Sequence, residues 1–301
     1  VLSKRAESEP QNSHLQRQLT LVYNAQITTI DSFCLYLIRN HFNDIGLDPD
    51  FRTADEGEGR LLCQDVLQEL LEEQFAKKDP GFLECVECFV PGGSEKRLEE
   101  LVLQLYTFAM SDPFPEEWLK RHRSDYAVSS LDELYTADWY RAFKETVCGV
   151  LAQCRMQTEQ TLALCRQPDG PYMYEVALMS DLELVGELEK GFPDLHEALC
   201  GISFARLGSK SDVSVSPEKK ERAKAGRERV KKWIKGLAEK YFYAPQSRWL
   251  ADMQKVSAPL GVLADLALLF KEKLDAKKRE KNLLDFADME HFALEILVTK
   301  E

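Results

Sequence analysis

The chain has 301 residues, 44% of them hydrophobic and 30% charged, which suffices for one large or two ordinary domains with a real core. Its formal net charge of −12 excludes a general nucleic-acid coat protein, since phosphate binding needs positive charge, but it leaves room for one basic face. There is no apolar run of membrane-spanning length and no signal or transit pattern at Val1, and most of the eight cysteines fall in apolar helical patterns, so we expect no transmembrane helix and a reducing, cytoplasmic setting.

Residues 1–22 are polar and then amphipathic, with Leu15, Leu19 and Val22 on one helical face. A short buried strand is expected over 26–30, followed by a helix over 32–43 capped by Asp31 or Ser32. Gly46-Leu47-Asp48-Pro49 breaks that helix. Thr53-Ala54-Asp55-Glu56 has the capping-box pattern and opens a helix carrying Leu62, Val66, Leu70 and Phe75. A short helix with Phe82, Cys85 and Phe89 comes next. Ser94 then caps a helix with Leu98, Leu101, Val102, Leu105 and Phe108 inward. Pro115 suits a first helical position, with Glu116 and Glu117 against the helix dipole. Ser130-Leu131-Asp132-Glu133 is a second capping box, opening a long helix to about 166. One or two shorter helices fill 175–200. Residues 201–217 read as a loop.

Ser216-Pro217 opens a strongly basic helix. Its first half has no apolar stripe and is expected to project into solvent; Val230, Ile234, Leu237 and Tyr241 dock its second half. Two meanings are open for its cations, a solvated charged face or a DNA-facing surface. A last long helix is expected over 258–280, and an amphipathic helix with Phe292, Ile296 and Leu297 closes the chain.

The sequence contains no GxxxxGK[ST], GxGxxG, HExxH, GxSxG or calcium-loop pattern. Cys85-Val86-Glu87-Cys88 is a single CxxC, without the second pair or nearby histidines that a zinc or iron–sulfur site requires. Asp285, Asp288 and Glu290 suggest metal ligation at first sight, but Phe286 and Met289 between them fit packing, and Asp285 fits a helix cap. No catalytic constellation and no metal site is expected.

The segment Ile27-Thr28-Thr29-Ile30-Asp31-Ser32-Phe33-Cys34, followed by Leu47–Arg52 and Ala54-Asp55-Glu56, resembles a motif of UvrD/Rep-like superfamily 1 helicases. The RecB and AddA branch is closest. Lys281-Asn282-Leu283-Leu284-Asp285-Phe286-Ala287-Asp288-Met289-Glu290-His291 looks like the segment of that branch that precedes the Walker B strand. The resemblance covers nearly the whole chain. It implies an internal section of the A subunit of an AddAB-type ATP-dependent helicase–nuclease, acting in double-strand break repair and recombination.

The implied fold is mainly α: a multi-helix insertion subdomain (1B-like) over 47–280, with a small strand–helix remnant of a RecA-like α/β motor domain at 1–46 and 281–301. The resemblance places Thr28, Thr29, Asp31, Ser32 and Phe33 along a single-strand DNA track. Asp31 stands where many relatives have His, so a histidine contact is not carried over. Arg227, Lys231, Lys232 and Lys235 are the expected contacts of the basic helix with an incoming duplex. ATP and Mg are implied for the parent enzyme but no cofactor for this section, which should hold neither the ATP site nor the nuclease site. The implied partners are DNA, as single strand and duplex end, and the B subunit of a heterodimer. A helical module contacting that subunit without touching DNA is the competing expectation.

Overall fold

A computed structural model of the chain describes residues 2–22, 25, 27–92, 94–192, 195–209 and 212–298. Gln26, the first residue of the expected strand, lies outside the described residues, as do the last three positions. The protein is mainly α, with a two-stranded parallel sheet as its β structure among the described residues. It divides into two compact units, 1–121 with 262–301, and 122–261. This division differs from the boundaries at 46/47 and 280/281 expected from the sequence. Its physical reason is that the helices after residue 47 share a core with the chain after residue 262.

The first unit begins with α1 (Leu2–Ser8), α2 (Ser13–Val22) and α3 (Ile30–His41). Strand β1 (Arg52–Thr53) pairs with β2 (Leu283–Leu284), where the Arg52 and Ala54 N–H groups donate to the Asn282 and Leu284 carbonyls, each at 2.9 Å. Between the strands in sequence lie α4 (Glu56–Lys77), α5 (Pro80–Phe89), α6 (Glu95–Ala109) and α7 (Pro115–His122), the last ending at the unit boundary. After β2 comes α14 (Phe286–Leu297). Leu67 and Leu70 of α4, Leu98 and Val102 of α6, and Phe270 and Leu274 form the main core. Tyr106 meets Phe270 edge to face at 5.0 Å. A second cluster joins Cys34 and Ile38 of α3 to Leu284, Met289 and Ala293.

The other unit is built on α9 (Asp138–Cys165), preceded by α8 (Leu131–Thr136). A 3-10 turn at Tyr172–Tyr174 leads into α10 (Glu175–Gly191), and α11 (His196–Cys200) follows. The basic helix is α12 (Pro217–Lys240). Val147, Leu151 and Cys154 of α9 pack with Val185 and Leu188 of α10 and with Val230, Ile234 and Leu237 of α12. His196 is buried between Phe242 and Trp249, with ring centroids 4.9 and 5.2 Å away, and its Nδ1 lies 2.7 Å from the Ala244 carbonyl.

Helix α13 (Gln246–Glu280) belongs to both units. It starts twelve residues before the expected Ala258, and Pro259 lies inside it. A proline forfeits one backbone bond and crowds the preceding turn, which favours a boundary there but does not compel one. By length and composition α13 is apolar enough to cross a membrane, contrary to the expectation of no such run. Its apolar residues Leu263, Leu266, Ala267, Phe270 and Leu274 are spent in the core.

Three caps differ from expectation in position. Thr29, not Asp31 or Ser32, caps α3, because the helix starts at Ile30. Asp55, not Thr53, caps α4 and accepts the Glu58 N–H at 2.8 Å, because Thr53 is taken up in β1. Ser94 precedes α6 without a side-chain cap bond. Ser130 does accept the Glu133 N–H at 3.2 Å, but the chain breaks at Ala137, so the expected long helix is two.

Candidate nucleic-acid interface

The expected strand at 26–30 is not formed over its described residues: Ile27, Thr28 and Thr29 run without regular structure into α3. A strand needs a paired neighbour for its backbone groups, and among the described residues none lies beside this segment. The Thr29 Oγ1 accepts the Ser32 N–H at 3.4 Å and lies 2.9 Å from the Ser32 hydroxyl. Asp31 is half-buried in the first turn, where its charge complements the helix dipole. Thr28, Thr29, Ser32 and Phe33 are exposed. So are Ile27 and Ile30, at 83% and 68%, and Tyr36. The structure therefore gathers hydroxyls and an aromatic ring at one end of α3. Cys34, in the same motif, is buried, and burial pushes its thiol above the ordinary range, which makes it a packing residue.

On α12 the expected contact residues separate. Arg227 is 3% exposed and forks onto Asp181 of α10, with Nε–Oδ2 at 2.5 Å and Nη2–Oδ1 at 2.9 Å; it also donates to the Ala205 carbonyl. This corrects its assignment to DNA: the guanidinium is spent inside the unit. Nor does the front of α12 project into solvent. Ala223, Gly226 and Arg227 are buried in register with Val230, Ile234 and Leu237. The stripe is continuous but is made of small residues and one paired arginine, so an apolar count misses it. A Cβ at Gly226 would stand 2.5 Å from the Thr161 hydroxyl of α9, and that contact sets the close approach of the two helices.

The remaining cations fall on two flanks. Lys224 pairs with Glu221 at 2.7 Å, Lys231 with Glu228 at 2.8 Å and Lys235 with Glu239 at 3.4 Å. Lys219 pairs with Asp169, and Lys231 also lies 5.7 Å from the centre of the Phe204 ring. Arg222, Arg229, Lys232 and Lys240 are exposed and have no carboxylate partner among the described residues. Of the expected contacts only Lys232 belongs to this unneutralised set. Arg222, Arg229 and Lys240 belong to the basic run but were not singled out as contacts; Glu218 stands four residues before Arg222 and Glu228 four before Lys232, so i,i+4 spacing alone does not separate paired from unpaired cations.

In the first unit, Lys278 is buried between two carboxylates, with its Nζ 2.5 Å from Asp285 and 3.0 Å from Asp288. Those two acids form the capping box of α14: Asp285 Oδ1 accepts the Asp288 N–H at 2.9 Å, and Asp288 Oδ2 accepts the Asp285 N–H at 2.8 Å. Asp285 thus caps the helix as expected, and both acids are committed to Lys278 and the backbone. Among the described residues no group of three His, Cys, Asp or Glu side chains could hold a metal ion. Cys85 is buried, its thiol pushed up to about 12 by burial, while Cys88 is exposed. Beside the cluster lies a cleft of about 600 Å³, lined by Lys278, Asp288, His291 and Phe292 of the C-terminal part and by Phe114 and Glu116.

A mainly helical chain with one basic helix and a hydroxyl-rich helix start has an evolutionary setting. The model of the UvrD/REP helicase N-terminal domain matches residues 2–301, and the chain belongs to that family. It is 42% identical over 308 residues to the ATP-dependent helicase/nuclease A subunit of Lachnoclostridium phytofermentans, covering 100% of this chain and 22% of that protein. The protein of the same name from Bacillus pumilus is 33% identical over 304 residues, covering 100% of this chain and 25% of its own length. That from Geobacillus kaustophilus is 35% identical over 302 residues, covering 99% and 24%. The chain thus spans about a quarter of the length of these relatives.

Proposed function

We propose that this chain is a section of the A subunit of an ATP-dependent DNA helicase–nuclease working in double-strand break repair, and that it supplies DNA contacts and motor scaffolding. Its similarity along the whole chain to helicase/nuclease A subunits carries the reading. In this reading 47–280 is the 1B-like insertion, 1–46 and 281–301 are edges of the RecA-like motor, and the whole enzyme is cytoplasmic. Thr28, Thr29, Asp31, Ser32 and Phe33 lie on the single-strand track, where Phe33 offers a ring for base stacking and the hydroxyls offer donors to phosphate. ATP and Mg belong to the parent enzyme, whose phosphate loop, Walker B acids and nuclease site lie in other sections; the absence of a GxxxxGK[ST] pattern from this sequence supports that.

The purified chain should show no ATP hydrolysis above a blank, with or without single-stranded DNA, in a coupled turnover assay. Robust DNA-stimulated turnover would sink the reading. A second reading, a module docking the B subunit, is favoured by one observation: Tyr172, Val176, Met179 and Val213 are exposed apolar residues of the second unit, Val176 at 82%. A pull-down with the B subunit, run beside a DNA shift assay, separates the two.

A further inference from the structure

We propose that α12 carries a seat for a nucleic-acid backbone on one flank only, centred on Gly236 and formed by Arg229, Lys232 and Lys240. The proposal rests on the DNA-binding reading above and says where on the helix contact is made.

At 100° per residue, Arg222, Arg229 and Lys240 fall within about 20° of one line along α12. Gly236 lies beside that line, with Arg229 seven residues before it, Lys232 four before and Lys240 four after. These spacings ring an exposed helical position with positive charge. A Cβ built at Gly236 meets nothing within 4 Å, so the glycine makes no room for any part of this chain. Glycine in a helix interior costs stability, and here no internal contact explains it. Close approach of an outside chain to bare helix backbone does.

The acids that border this stretch, Glu228 and Glu239, have their carboxylates 2.8 Å from Lys231 and 3.4 Å from Lys235 on the other flank. The lysines of that flank are neutralised in place by Glu221, Glu228 and Glu239. Along the helix the line of cations extends roughly 27 Å from Arg222 to Lys240, at 1.5 Å per residue. Evenly charged phosphates match such a line along its length, and a nucleic-acid backbone is a narrow ribbon that can enter at the glycine. Arginine at 222 and 229 adds the fork geometry suited to phosphate.

Two triple variants test this, each removing three positive charges: Arg229→Gln with Lys232→Gln and Lys240→Gln, and Lys224→Gln with Lys231→Gln and Lys235→Gln. Affinity for a labelled duplex of roughly 20 base pairs is read by anisotropy across a salt series. The first triple should bind about ten-fold more weakly than the parent chain and lose about 2.7 from the slope of log K against log salt, at ~0.9 per phosphate contact. The second triple should change both little. Gly236→Gln, neutral and larger, should weaken binding several-fold with helix content unchanged by circular dichroism. Equal loss in both triples overturns the one-sided seat while leaving DNA binding intact. If the first triple binds as the parent does, the flank faces something other than DNA and the proposal falls. Parent-like binding by Gly236→Gln overturns the centring on that residue. If the parent chain itself shows no salt-dependent binding, the DNA reading fails and the seat with it.

Discussion

Arg227 and Asp181 are 3% and 2% exposed as side chains, so their charges are answered by each other and by the Ala205 carbonyl rather than by water. Removing one partner strands the other: Arg227→Met should cost about 3–5 kcal/mol in denaturant unfolding. Adding Asp181→Leu should recover most of that loss; a double variant no more stable than the single would show that the pair is not the cause. In the other unit, burial and the charge of Asp285 push the Asp288 carboxyl from an ordinary 3.8 up to about 6, while Lys278 holds Asp285 below its ordinary value. Between 3.8 and 6 the unfolded chain releases the Asp288 proton that the folded chain keeps. That contribution is therefore present at low pH and is lost as pH rises through 6. Asp285 runs the other way, stabilising at high pH and losing this as pH falls. Asp288→Asn removes the Asp288 titration, together with one carboxylate facing Lys278, and retains an acceptor for the Asp285 N–H. Its melting temperature relative to the parent should climb from pH 4 to 7 and then level off; a constant difference would contradict the assignment. None of this is legible as sequence, where Arg227 is one cation of a basic run and looks as available as Arg229.

Helices carried the legible part of the fold. Periodic apolar residues located α4, α6, α9, α10 and α14, because burial of one face dominates helix stability. The failures have separate physical causes. Thr28 and Thr29 have strand propensity, but propensity does not substitute for a partner strand. The start of α13 was placed twelve residues late, and Pro259 is tolerated inside the helix because tertiary packing outweighs one lost bond. The front of α12 was misjudged because its contact with α9 runs through Gly226 and Thr161, a steric fit that hydrophobicity does not record. That seam is testable. Gly226→Ala should cost about 1–3 kcal/mol by driving a methyl into the Thr161 hydroxyl. Pairing it with Thr161→Ala should relieve much of the cost in a thermal melt. Of the proposed DNA residues, those at the start of α3 rest on a sequence motif, whereas the flank of α12 rests on the orientation of each glutamate.

On the scale of the whole molecule, the two units carry separate cores, and their anchors can be struck independently. Lys278→Met leaves two buried acids without their cation in the first unit. Native-state hydrogen exchange should then show faster opening of α4, α6 and α14, with α9 and α12 keeping their protection; Arg227→Met should give the reverse pattern. Loss of protection in both units from either change would mean that the chain unfolds as a single cooperative body. The exposed Ile27, Ile30, Phe33 and Tyr36 at the start of α3 form a sticky ridge on a molecule whose net charge of −12 keeps copies apart. Self-repulsion is a long-range force that added electrolyte weakens, while the ridge's attraction is short-ranged and persists. Light scattering at neutral pH should therefore rise with ionic strength, whereas near the isoelectric point of about 5.1, where little net repulsion is left to screen, it should be high at any salt; the high-salt limb of a binding titration is thus also where the solution becomes colloidally least stable.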